Sequence, residues 1–480
     1  MSVLRKARWG TTADALRAGL ISREGIVCGE TLYLRRPVSL SASEHVCVVA
    51  PPGAGKGATG VIPTGLQCPL RSLVIVDPKS EIETKTRSVR EQCSTVLRFD
   101  PAPEEHELAE LVRYNPLDFI RSTHAFTDAS ELAMAIVGHG PAEAEFWYTS
   151  ARSLCTGLIL FLLERCAVKG LHPTLSMLPR LLMDPKRTRE ELFRAMSRSK
   201  NESAAEVGAG MLNVQVNAAE QATGTIETLL SALEVFRDPL VAHAFSASDF
   251  KPQDLQYSYR PITLYIRVAP LDMRRYAPAI RVLLTSIGSA LLRRLDVGDD
   301  GQESRRRQLT WVVDEAYMFG RWEFLLNAMP VCRGYKQNFY LIYQTVERIH
   351  ATYGSLEILS MCAAVLFLSV NSKMATDYIT DRLGKAEKAQ KTVTRNAGST
   401  STSTTMIQRD LITPAQVGLL PVLRPHALLS PRGITLMVTS SGRPYLLRQR
   451  PYWLDRAFRR LLGMPTGIPR LISWVRRFLS

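Results

Sequence analysis

No run of apolar residues in this chain approaches the roughly 18–20 needed to cross a bilayer. The two nearest, Leu154–Leu163 and Ile358–Val370, are short enough to be a buried helix or strand. Basic residues open the N-terminus with no apolar stretch behind them, so nothing reads as a secretory leader. These absences predict a cytoplasmic chain. The eight cysteines (Cys28, Cys47, Cys68, Cys93, Cys155, Cys166, Cys332 and Cys362) include no CxxC pair, which argues against a metal site and predicts reduced, mostly buried thiols. Internal repeats are absent as well. With 46% hydrophobic and 22% charged residues the composition is that of a folded protein, not a disordered one.

Length and positive charge are what the chain does have. Its 480 residues allow two to three domains, or one large α/β core carrying an insertion. A formal net charge of +15 implies a polyanionic partner, either nucleic acid or an acidic membrane surface. The charge is unevenly spread. Between Leu117 and Leu255, 13 Lys and Arg face 17 Asp and Glu, a net of −4, so the remainder carries +19. The middle segment is not what attracts the anion.

Short β-branched runs recur, each closed by a polar or turn residue: His45–Ala50, Ser72–Asp77, Thr95–Asp100, Ile262–Val268, Leu309–Asp314, Phe339–Gln344 and Ala363–Val370. Continuous apolar strands of this kind predict a parallel sheet covered on both faces by helices. Gly433–Arg448 predicts a hairpin around Ser440-Ser441-Gly442, placed at the sheet edge. Glu145–Cys166, Thr188–Ser199 and Asn217–Asp238 have helical periodicity instead, which predicts an all-helical domain inserted between the third and fourth strands. Gly398–Thr405 is almost entirely Ser and Thr and predicts a mobile loop.

The sharpest local signal is Ala50-Pro51-Pro52-Gly53-Ala54-Gly55-Lys56-Gly57, directly after a strand. A glycine-rich turn lets backbone N–H groups converge on phosphate oxygens, and the following helix N-terminus adds its dipole. Pro52, Gly53, Ala54, Gly55, Lys56, Gly57 and Ala58 are therefore the candidate nucleotide-binding residues, with Lys56 reaching the β and γ phosphates. Two positions depart from the general pattern. Ala50 stands where the first Gly belongs, and Gly57 replaces the Ser or Thr whose hydroxyl binds Mg2+. A second signal supports the first: the strand Leu309–Val313 runs into Asp314-Glu315. In a P-loop protein Asp314 holds the Mg2+ shell through water, and Glu315 orients and deprotonates the attacking water. Gln344 closes the next strand, where a γ-phosphate sensor sits. Arg333 lies between these strands as a candidate arginine finger reaching a neighbouring subunit; the plain alternative is a surface salt bridge.

These residues resemble one family nearly end to end, the type IV coupling proteins of conjugation and type IV secretion. Ala7-Arg8-Trp9 with Gly19-Leu20 and Gly25-Ile26 is similar to the lead-in of its soluble part, and Gly57 to Pro63 to its continuation after the P-loop lysine. Asp77-Pro78-Lys79-Ser80-Glu81 resembles the family's DPKGE, with Ser80 in place of Gly. Phe99-Asp100-Pro101, Tyr114-Asn115-Pro116-Leu117, Phe146-Trp147, Asp314-Glu315, Arg333-Gly334-Tyr335 and Gln344 follow in the family's order, then Leu411-Ile412-Thr413-Pro414 and Leu420-Pro421. Within this family Gly after the lysine is common. The resemblance implies a RecA-like P-loop motor domain over 1–116 and 256–450 with a mainly parallel sheet, interrupted by an all-α insertion over 117–255. It also implies ATP and Mg2+ as cofactors, a hexameric ring, and delivery of relaxase–DNA complexes or effector proteins to a secretion channel at the inner membrane. The family usually carries N-terminal transmembrane helices, and this chain begins where they would end.

In that light, the +19 outside the insertion suits sequence-tolerant contact with single- or double-stranded DNA. The acidic insertion suits basic signals on protein cargo. The tail 451–480 is basic, and Leu471, Ile472, Val475, Phe478 and Leu479 fall on one helical face. This predicts a short interfacial helix that partly substitutes for an anchor, against the equally simple expectation that it docks on protein. Liposome association that survives deletion of Pro469–Ser480 sinks the membrane reading. Two other functions stay open at this point: a hexameric double-stranded DNA translocase outside any secretion system, and a docking platform that binds nucleotide without hydrolysing it.

Overall fold

The computed structural model describes residues 7–465 apart from 42, 270, 294–305, 397–398, 424–431 and 441. Thirteen strands are described: β1 (Ile26–Thr31), β2 (Pro37–Leu40), β3 (Val46–Val49), β4 (Ser72–Asp77), β5 (Thr95–Phe99), β6 (Ile262–Arg267), β7 (Leu309–Val313), β8 (Gln337–Tyr343), β9 (Ala364–Leu368), β10 (Lys385–Asn396), β11 (Ser399–Asp410), β12 (Ile434–Thr439) and β13 (Tyr445–Arg448). Eleven form one sheet in the order β2-β1-β13-β12-β9-β3-β8-β7-β4-β6-β5. From β9 to β5 every neighbouring pair is parallel. β3, β4, β7, β8 and β9 are buried along their whole length, the demand that a sheet covered on both faces makes of its residues. All seven predicted strands are present, with ends shifted by a residue or two.

Two expectations need correction. The hairpin β12–β13 is present, but it is not the edge of the sheet: β12 pairs with β9, and β13 pairs with β1, which in turn pairs with β2. β1 is interrupted by Gly29 and ends in polar residues, and β2 is four residues opening on Pro37, so neither carries a long apolar run to announce it. The Ser/Thr-rich stretch is also not a loop over its length. Residues Ser399 to Thr405 belong to β11, whose register with β10 runs from Asn396↔Ser399 to Lys385↔Asp410. Thr is β-branched, and a polar run of it favours an extended backbone as readily as an apolar one does.

Between Leu117 and Leu255 all the regular structure is helical, including Ala125–Val137, Glu145–Lys169, Arg189–Met196, Glu202–Asn217 and Ala219–Leu233. Leu154, Cys155, Leu158 and Ile159 are fully buried in the longest of these, so the apolar run there is a core helix. Ile358–Val370 divides into the helix Glu357–Met361 and β9. Among the described residues no helix is long and apolar enough to cross a membrane. All eight cysteines are free thiols, and seven of them are buried. The helical segment leaves after β5 and returns to β6, which is β5's partner in the sheet. A backbone neck closes it: Tyr114 N–H donates to the Ala244 carbonyl (2.9 Å), Asp249 N–H donates to the Arg113 carbonyl (3.0 Å), and the Arg113 guanidinium pairs with Asp249 at 2.9 Å. The amphipathic segment Pro469–Ser480 lies outside the described residues.

Candidate nucleotide-binding site

β3 is the middle strand of the eleven-stranded sheet, and its C-terminal end is where the glycine-rich loop begins. The register holds one residue further, because Ala50 N–H donates to the Tyr343 carbonyl at 2.9 Å. Pro51 and Pro52 then restrict the chain before two glycines turn it through the left-handed region, Gly53 at φ +80° and Gly55 at φ +89°. A Cβ at Gly55 would stand 2.5 Å from Cδ2 of Leu423, so the segment after Leu420-Pro421 packs directly on the loop. Lys56 starts the helical run, whose first turn is the π-type Gly57–Val61 before Ile62–Gln67. The departure from the general pattern at Gly57 is not steric. A Cβ there would meet nothing closer than Oε2 of Glu81 at 3.9 Å. Thr59, the nearest hydroxyl along the helix, donates to the Gly55 carbonyl at 2.9 Å and is spent on the loop itself.

Two strands away, β7 delivers Asp314 and Glu315 to the same end of the sheet. The Lys56 ammonium sits between them, 3.0 Å from Oδ1 of Asp314 and 2.5 Å from Oε1 of Glu315. Gln344, at the end of the intervening β8, donates its amide to the other oxygen of Glu315 at 2.8 Å and to the Tyr317 hydroxyl at 3.3 Å. The Arg348 guanidinium lies 3.9 Å over the Tyr317 ring. Glu315 has φ +52°, a left-handed conformation that costs a non-glycine residue about 1 kcal/mol and persists only where its surroundings fix it. One ammonium thus balances two carboxylates in a buried site. Burial pushes the Asp314 carboxyl up, with Glu315 adding to it and Lys56 opposing. Burial works against the Lys56 charge too, but Asp314 and Glu315 outweigh it and hold the lysine above its ordinary value.

A third carboxylate, Asp77, ends β4 beside β7. Burial lifts it to about 6, with Asp314 contributing, although it accepts the Glu83 N–H at 2.8 Å. The sequence motif around Asp77 marks it without revealing its place next to Asp314. Leu423 and Tyr317 were not legible at all, because each acts through a contact between segments far apart in the chain.

The structure therefore brings together Lys56, Asp314, Glu315 and Gln344 beside the loop from Pro52 to Ala58. It does not bring in Arg333. That residue is exposed on the turn Cys332–Tyr335, before β8, whereas Gln344 follows β8. Seven strand residues separate them, roughly 23 Å at the usual rise. His45, which shares this far end, accepts the Phe339 N–H at Nδ1 (3.0 Å) and contacts the Met329 carbonyl through Nε2 (2.8 Å), tying β3 to β8.

The donor set suits a polyphosphate with a divalent cation: a left-handed glycine loop, one lysine, and an acid at the end of a strand two places away in the sheet. Among the described residues no cluster of His, Cys, Asp and Glu could hold a metal alone. Residues 7–468 match the family described as type IV secretory system conjugative DNA transfer. The chain is 27% identical over 507 residues to the conjugal transfer protein TraG of Escherichia coli, covering 96% of this chain and 78% of that protein. It is 28% identical over 476 residues to protein VirD4 of Rhizobium rhizogenes, covering 96% and 67%. Among solved structures it matches the bacterial conjugative coupling protein TrwBdeltaN70 in complex with sulphate, with a TM-score of 0.66, 16% identity, and coverage of 94% of this chain and 95% of that one. The complex of TrwB with ADP and Mg2+ matches at a TM-score of 0.65 and 15% identity, with 93% and 94% covered. The mainly parallel sheet with its helical segment is thus a TrwB-like, RecA-like α/β fold. By its sequence this chain is a member of the type IV secretory system conjugative DNA transfer family, the coupling proteins.

Proposed function

We propose that the chain is an ATP-driven motor. It delivers relaxase–single-stranded DNA, protein effectors, or both to a type IV secretion channel at the cytoplasmic face of the bacterial inner membrane. One observation carries the reading: Lys56 stands between Asp314 and Glu315 while Gln344 holds the far oxygen of Glu315. TrwB complexes with ADP and Mg2+ and with a non-hydrolysable ATP analogue support ATP as the ligand. When bound, Mg2+–ATP supplies the electrophilic γ-phosphorus. Lys56 then exchanges its carboxylates for the β and γ phosphate oxygens, cradled by the N–H groups from Gly53 to Ala58. Asp314 would hold the Mg2+ shell through water, the more so because Gly57 offers no hydroxyl. Glu315, released from Lys56, accepts the proton of the attacking water. Gln344 reports the γ-phosphate to the Tyr317 turn.

Arg333 belongs to this scheme only from a neighbouring subunit, as a ring of six copies would place it. On this reading 1–116 and 256–450 form the motor, 117–255 is a separate cargo-facing unit, and 451–480 is a tail whose described start packs on the motor, with Phe458 buried in one cluster with Ile62 and Leu66. The motor's +14 serves contact with DNA phosphates, without reading sequence.

The test is complementation. Arg333→Ala and Glu315→Gln proteins are each expected to be inactive in DNA-stimulated ATP hydrolysis. Mixed, they are expected to recover turnover, because an Arg333→Ala subunit with its own Glu315 can take Arg333 from a Glu315→Gln neighbour. Two inactive proteins that stay inactive when mixed would place Arg333 outside the catalytic site. A docking platform without hydrolysis is the second reading, favoured by Gly57 and the engaged Thr59 hydroxyl. Nucleotide binding without turnover in the wild type, with and without single- or double-stranded DNA, selects it. A double-stranded DNA translocase outside secretion is selected instead if export of DNA and effectors is unaffected by loss of the gene.

A further inference from the structure

Glu315 opens a short turn, Ala316–Phe319, and the other end of that turn is held by a residue far from the nucleotide loop. Arg281, on the helix Met273–Leu292, donates from Nη1 to the Phe319 carbonyl at 3.1 Å. Its Nε donates to the Ala135 carbonyl at 2.7 Å, and Nη2 to the Ile136 carbonyl at 3.3 Å. Among the described residues no carboxylate lies within ion-pair distance of it. Its partners are carbonyls, and two of them belong to the last turn of the helix Ala125–Val137, where unsatisfied carbonyls and the negative end of the helix dipole gather. A planar guanidinium can span three acceptors in this way, where a lysine ammonium offers one point of charge.

The seam around Arg281 joins the helical segment to the segment carrying the general base. Gly138 ends the helix at φ +71°, and a Cβ there would come within 3.0 Å of Arg281 Nη2. His139 lies 3.2 Å from Glu145 on the helical side and 3.2 Å from Glu323 on the motor side. Trp322 donates its indole N–H to Thr285 at 3.0 Å. Against this web of polar ties stands a cavity of about 570 Å³ lined by Arg281, Met134, Trp322 and Phe324, among others. A close-packed seam would resist any displacement; a cavity beside the anchoring residue leaves room for the turn to shift.

We propose that Arg281 is a positioning residue. By clamping the Phe319 carbonyl to those of Ala135 and Ile136, it makes the aim of Glu315 depend on the position of the helix Ala125–Val137. The inference rests on Glu315 as general base and adds a route by which the helical segment governs it. Cargo that moves this helix alters hydrolysis, and nucleotide that draws Lys56 away from Glu315 moves the turn and, through the Arg281 clamp, the helix. Misplacing a catalytic group by about 1 Å can cost on the order of 100-fold in rate, so a small shift of the turn suffices.

The experiment combines steady-state ATPase kinetics with backbone amide exchange on the full-length protein. In Arg281→Met, kcat is expected to fall by roughly 10-fold or more with KM for ATP nearly unchanged. Arg281→Lys is not expected to restore it. Gly138→Ala, which presses on Nη2 from the helix side and leaves Arg281 in place, is expected to lower kcat in the same direction. In the wild type a non-hydrolysable ATP analogue is expected to change amide exchange over residues 125–138, and in Arg281→Met that response is expected to vanish. The coupling is overturned if both variants keep wild-type kcat, or if the exchange response survives in Arg281→Met. A wild type without turnover removes the general-base reading instead, and the exchange response, which needs only nucleotide binding, still reports on Arg281.

Discussion

Glu315→Gln is expected to lower ATP turnover by roughly 10²–10⁴-fold, the range lost with a positioned general base, while nucleotide remains bound. The substitution keeps the shape of the side chain and the hydrogen bond from Gln344, since the amide oxygen can still accept. It removes the basic oxygen that Lys56 contacts at 2.5 Å. The ammonium then keeps a single carboxylate partner, Asp314, and is freer to meet phosphate oxygens. ATP affinity is therefore expected to stay level or rise as kcat collapses. Equilibrium binding of a fluorescent ATP analogue beside single-turnover hydrolysis separates the two quantities. A variant that hydrolyses within a few-fold of wild type would assign the base to another group, such as Asp77 at the end of the strand beside β7.

Lys56→Ala is expected to abolish nucleotide binding and also to destabilise the protein, more than the loss of one surface lysine could. Removing the cation leaves Asp314 and Glu315 together in a buried site with no balancing charge, and breaking such a pair typically costs 3–5 kcal/mol. The pH dependence gives this cause its signature. Asp314 is already pushed above its ordinary value, and without Lys56 it is pushed further. A carboxyl whose folded pKa exceeds its unfolded value takes up protons on folding, so its contribution is fully present at low pH and is lost as pH rises through the folded pKa. The gap in melting temperature between wild type and Lys56→Ala is thus expected to widen from about pH 5 to pH 8. A gap that stays constant across that window would mean the carboxylates are relieved by solvent instead.

How far sequence reading reached can be traced through particular residues. β3, β4, β7, β8 and β9 were legible because strands buried on both faces are written as unbroken apolar runs. β1 and β2 were not: each owes its place to pairing with β13 or with the other, and neither has an apolar run long enough to stand out. The ribbon β10–β11 departs from the mobile loop that its low complexity predicts, because a run of Thr pairs well. At the site, Lys56, Asp314, Glu315 and Gln344 were legible because phosphate and metal chemistry restricts which residue types can stand at strand ends. Leu423 on Gly55 and Arg281 on Phe319 were not. Their partners are a backbone glycine and a carbonyl oxygen, which every sequence contains.

The neck at the base of the helical segment has a consequence for how the chain assembles. β6 must find β5 across the whole helical segment, and closing a loop of well over a hundred residues costs about 4 kcal/mol in chain entropy by the logarithmic rule. Once Tyr114 and Ala244 are hydrogen-bonded and Arg113 grips Asp249, that closure has already occurred at the base of the helical segment, and the two strands are presented side by side. The helices then act as a folding clamp for the sheet they interrupt. Substitutions at the neck should therefore be felt first in the yield and refolding rate of the sheet.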